Sequence, residues 1–77
     1  MEVEKLQRES RVKQMILDRF GSEAKAARTL GWPRQRLNKI TIGRKEPDLE
    51  EVSAISALLD VPVGEMVAIF LANSVTN

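Results

Sequence analysis

With 77 residues, 43% of them hydrophobic and 30% charged, the chain has the composition of a small folded domain. At this length it hides only about 60–65% of its unfolded surface, so the core must be compact. Cysteine and histidine are both missing, which excludes a disulfide framework, a zinc finger and a thiol nucleophile.

The net charge of +1 conceals a polarity along the chain. Residues 1–20 are nearly balanced, residues 21–45 carry seven basic residues against Glu23 alone, and residues 46–77 carry six acidic residues and no basic one. A basic middle beside an acidic end suits a protein that turns one face to a polyanion and another away from it. Met1 to Lys5 alternates acidic and apolar residues where a signal peptide would be basic and then apolar, and no run of about 18 apolar residues follows. A cytoplasmic location with no membrane partner is expected.

Apolar residues recur at three- and four-residue spacing, which predicts an all-α chain. The first helix is expected over Glu4 to Phe20, with Leu6, Val12, Met15, Ile16 and Phe20 on its apolar stripe and Gly21 ending it. Ser22 is a good N-cap for a second helix, Glu23 to Leu30, in which Ala26, Ala27 and Leu30 face inward and Gly31 stops the helix. A third helix is expected from Pro33, at its first position, to Ile42, with Leu37 and Ile40 on the core side and Gly43 closing it. Asp48 and Glu51 stand in capping-box spacing at the start of a fourth helix, whose buried stripe includes Leu49, Val52, Ile55, Ser56, Leu58 and Leu59. After a polar break at Asp60, Pro62 opens a fifth helix through about Ala72. A frayed tail is expected over residues 73–77. The whole chain, 1–77, reads as one domain.

The second and third helices are short and separated by a glycine turn, with alanine where their axes must approach. Ala27 precedes Gly31 by four residues, Leu37 follows it by six, and Ile40 comes three later, the spacing that packs a helix-turn-helix. The outer side of the third helix then holds Arg34, Gln35, Asn38 and Lys39, with Arg36 at its margin. Arginine can pair bidentately with guanine, and glutamine or asparagine with adenine. The same residues would also make an ordinary solvated helix face. Trp32 reads as a core residue of the turn rather than a base-stacking platform. In the fifth helix, Met66, Val67, Ile69, Phe70 and Leu71 span more than one face, so Met66, Ile69 and Phe70 are expected at a homodimer interface.

The run Ser22 to Ile40, SEAKAARTLGWPRQRLNKI, followed by Gly43 to Leu49, GRKEPDL, and by Ile55 to Leu59 with Val61, resembles the phage-repressor and Cro-like helix-turn-helix family, also called the XRE family. The resemblance covers about residues 8–71. It implies an all-α, five-helix, lambda-repressor-like fold that binds double-stranded operator DNA, usually as a dimer on an approximately palindromic site. It places the base-reading positions on Arg34, Gln35 and Asn38. Backbone contacts fall on Lys39, Arg44 and Lys45, and the neighbouring cations Lys25, Arg28 and Arg36 extend that set. Three positions depart from the family pattern: Glu23 where glutamine near a phosphate is frequent, Pro33 where serine or threonine caps the reading helix, and Thr41 where an acidic residue is frequent.

The function expected is that of a sequence-specific transcriptional regulator, a repressor occupying an operator. The alternative is a protein-binding adaptor or antitoxin-like module in which DNA binding is secondary or absent, but such a module has no use for seven cations between Lys25 and Lys45. No acid-base or nucleophilic constellation can be named, so no enzyme is expected. Nor are a cofactor, a metal or a small-molecule effector.

Overall fold

The computed structural model describes residues 2–74, and side chains over residues 11–72. Five helices follow one another: α1 Glu2–Phe20, α2 Glu23–Leu30, α3 Arg34–Thr41, α4 Leu49–Leu59 and α5 Val63–Ser74. No strand occurs among the described residues. The fold is the all-α, five-helix, lambda-repressor-like arrangement.

One apolar core joins all five helices. Val12 and Ile16 enter it from α1, Ala26 and Ala27 from α2, Leu37 and Ile40 from α3, Val52, Ile55 and Leu59 from α4, and Met66 from α5. In α1, α3 and α4 these residues recur at three- or four-residue spacing, so one stripe of each of those helices is removed from water. Helix α1 packs against the other four, and α2 against both α3 and α4. The side chain of Leu6 lies outside the described residues, as do residues 75–77 of the expected tail.

Local chemistry explains the helix ends. The Ser22 hydroxyl accepts from the Lys25 N–H at 3.1 Å, and Gly31 closes α2 in the left-handed conformation at φ 77°. There its own N–H and that of Trp32 reach back to the Arg28 and Ala27 carbonyls, at 3.1 and 2.9 Å. A Cβ at Gly31 would meet no atom within 4 Å, so Gly31→Ala carries only the conformational penalty. Thermal or denaturant unfolding should show a loss of about 1–2 kcal/mol.

Some boundaries differ from the sequence reading. Pro33 has ψ 145° and stands at the N-cap, so α3 begins at Arg34. With no side chain able to cap, the Pro33 carbonyl takes the Arg36 N–H at 3.1 Å in a tight first turn. Helix α1 starts two residues earlier than expected and α5 runs on to Ser74. Leu49 does not join the buried stripe of α4: it is 73% exposed, because it sits on the rim of an open groove with Pro47, Val67, Phe70 and Leu71.

Candidate nucleic-acid interface

Helix α3 is held by two anchors, Leu37 and Ile40, which are buried, and this leaves the other side of the helix to solvent. Arg34, Gln35 and Lys39 are exposed, and Arg36 and Asn38 are half-buried. After the helix the chain folds back on itself. The Lys39 carbonyl accepts the N–H groups of both Arg44 (2.8 Å) and Lys45 (3.0 Å), and Gly43 permits the turn at φ 81°. Arg44 is thereby exposed to solvent and Lys45 half-buried. Lys25 and Arg28 are exposed on α2.

Two buried carboxylates organise these polar side chains. Glu23 is buried at the start of α2. It accepts from Asn38 Nδ2 at 2.9 Å and from the Thr41 hydroxyl at 2.7 Å. The carboxylate is thus turned inward and satisfied, rather than directed at an approaching phosphate. Two departures from the family pattern, Glu23 and Thr41, are therefore partners across the α2–α3 contact. Asn38 is fixed as well, with its amide nitrogen directed to Glu23.

Glu51 is the second. It closes the α4 capping box: Asp48 accepts the Glu51 N–H at 2.8 Å, and the Asp48 N–H donates to Glu51 Oε1 at 3.0 Å. The same carboxylate takes Arg36 Nε on Oε2 at 2.8 Å and Lys45 Nζ on Oε1 at 2.6 Å. Arg36 in turn lies over the Trp32 ring, 4.4 Å from its centroid, a cation–π contact that also covers the half-buried indole. The capping role was legible as a spacing. The bonds to Arg36 and Lys45 were not, because they join residues 15 and 6 positions away.

Burial alone would raise the Glu51 pKa. The Lys45 ammonium, the Asp48 backbone N–H and the Arg36 guanidinium outweigh it and hold the carboxyl at about 2, against an ordinary value of 4.5. A depressed carboxylate stabilises the fold fully above its unfolded pKa and loses that contribution as pH falls toward its folded pKa. The shift corresponds to about 3 kcal/mol, reduced to about 2 kcal/mol by solvent screening of the half-exposed cations. Unfolding free energies measured in steps from pH 5 to pH 2 should fall by this amount in the wild type. In Glu51→Gln most of this fall should be missing.

Of the residues expected at an interface on the fifth helix, the structure corrects Met66. Met66 is fully buried in the core and can offer no surface to a partner, while Ile69 and Phe70 are half-buried and pack partly against the core. Among the described residues the exposed large apolar side chains are Leu49, Val63 and Leu71, and Ile69 and Phe70 keep part of their surface. A side chain every third or fourth position from Met66 would have separated the two faces, had the direction of the core been known.

The helix-turn-helix family matches the chain over residues 21–66 of the 77. The chain belongs to this family. It is a helix-turn-helix protein of the phage-repressor and Cro-like type, a DNA-binding transcription regulator whose ligand is double-stranded DNA. Comparison with curated proteins and with solved structures gave no match. No single helix among the described residues of this helix-turn-helix protein is long and apolar enough to cross a membrane.

Proposed function

We propose that the protein is a homodimeric repressor that occupies an approximately palindromic operator, with α3 in the major groove. The observation that carries this reading is the outer face of α3. Arg34 and Gln35 are exposed at the start of a helix whose opposite side is locked into the core, and Arg44 is exposed in the loop held against its end.

In this reading Arg34 and Gln35 contact base edges and Asn38, held by Glu23, adds a third contact. Lys25, Arg28, Arg36, Lys39, Arg44 and Lys45 meet the phosphate backbone, which sets register and salt dependence without reading sequence. A second copy joins through α5, its Ile69–Phe70 side and the exposed Leu71, so that the two reading helices are related by a two-fold axis. Half-sites then lie about 34 Å apart, one turn of the duplex. The helix-turn-helix domain acts by occupying DNA.

The test starts from selection of bound duplexes out of random sequence, followed by competition with single-base variants of the selected site. Arg34→Ala should cost roughly 1–3 kcal/mol and relax preference at one base pair in each half-site, whereas Arg44→Ala should weaken every sequence nearly alike. An equal loss on all variants for Arg34→Ala would make that residue another phosphate anchor. Selected sites without two-fold symmetry would remove the dimeric reading.

A further inference from the structure

Arg36 and Lys45 come from different segments, the reading helix and the loop after it, yet they end on the two oxygens of one carboxylate. We propose that Glu51 is a positioning residue that presets Arg36 and Lys45 as a two-cation clamp for a single phosphate of the DNA backbone. This rests on the DNA-binding reading and names how one part of that site is built.

The carboxylate is sealed, with its side chain 2% exposed, while the Arg36 and Lys45 side chains remain 39% and 40% exposed. A phosphate can therefore reach the cations without displacing the group that aligns them. Glu51 engages Arg36 through Nε at 2.8 Å, and the two Nη atoms carry four further N–H donors in a fixed fork. The guanidinium plane is held from a second side by the Trp32 ring. Lys45 is fixed at both ends, its backbone N–H on the Lys39 carbonyl at 3.0 Å and its ammonium on Glu51 at 2.6 Å. Glu51 is itself tied to the rigid start of α4 by the Asp48 N–H. Two long side chains that are normally ordered only on binding are ordered beforehand, and the trio retains a charge of +1 toward DNA. Preorganisation of this kind raises affinity by removing an entropic cost of association.

The sign of one substitution separates this role from simple electrostatics. Glu51→Gln removes a negative charge beside the cations, so charge alone predicts tighter DNA binding. Loss of the clamp predicts binding weaker by roughly tenfold on all sequences alike, since two side chains must then be ordered at association. Asp48→Ala, which removes the same helix cap but leaves Glu51 on its two cations, should bind as the wild type once corrected for folded fraction by circular dichroism. Arg36→Lys guards against an unfolded Glu51→Gln. It keeps the charge and the salt slope but cannot lie flat on Trp32 while bonding through Nε, and it should also lose roughly tenfold. Emission from Trp32, the single tryptophan, should shift in both Glu51→Gln and Arg36→Lys. Tighter or unchanged DNA binding by either variant overturns the clamp. Failure of the wild type to bind any duplex overturns the DNA-binding reading instead.

Discussion

Leu71→Asp should leave the chain folded, convert it to a monomer and weaken operator binding by roughly 10²-fold or more. Leu71 is 57% exposed on α5 and is not one of the buried core residues, so an aspartate there meets mostly water in the single chain. In a dimer joined through α5 the same aspartate would be brought against apolar surface of the second copy, where an unpaired charge is costly. The loss at the operator is large because dimerisation makes the second half-site contact intramolecular, and linkage of two modest contacts commonly raises affinity by 10²–10⁴. Sedimentation at several concentrations, with circular dichroism and binding to the selected site, would follow all three effects. A wild-type chain that stays monomeric at every concentration would count against the dimer. Unchanged self-association in Leu71→Asp would move the interface to another face.

Leu37→Ala should destabilise the fold by about 2–5 kcal/mol, since a fully buried leucine leaves a cavity as well as losing its transfer energy. At roughly 0.05–0.15 kcal/mol per residue, a chain of 77 residues has about 4–12 kcal/mol in total. Near the middle of both ranges about half of the stability would therefore go, and the melting temperature should drop by about 10 °C or more. Leu37 is also one of the two anchors of α3, so DNA binding should fall with the folded fraction. A loss below about 1 kcal/mol would mean that α3 is seated by its polar contacts to Glu23 and Glu51 rather than by its apolar side.

The fold was largely legible because its signals are local. Ser22, Gly31 and the Asp48–Glu51 pair act within four residues of themselves, and the apolar spacing of Val12 and Ile16 or of Val52, Ile55 and Leu59 identifies a core face without reference to the rest of the chain. What could not be read was direction and distance. Whether Met66 or Leu71 turns inward depends on the angle at which α5 leaves α4, 115°, which no short spacing encodes. In the interface, the cations stood out by composition, but their internal partners did not. Glu23 looked like a single misplaced negative charge, yet it meets Asn38 and Thr41 one helix away. Glu51 looked like a cap alone. Both carboxylates act through contacts between helices, and a periodicity within one helix cannot report them.

The most direct measurement is the affinity of the wild-type chain for its selected duplex and for random duplex of equal length, both at physiological salt. A ratio of about 10³ or more, with affinity for both falling steeply as salt rises, is expected of a helix that reads bases on a backbone-anchored protein. Equal affinity for the two duplexes would contradict sequence reading by α3.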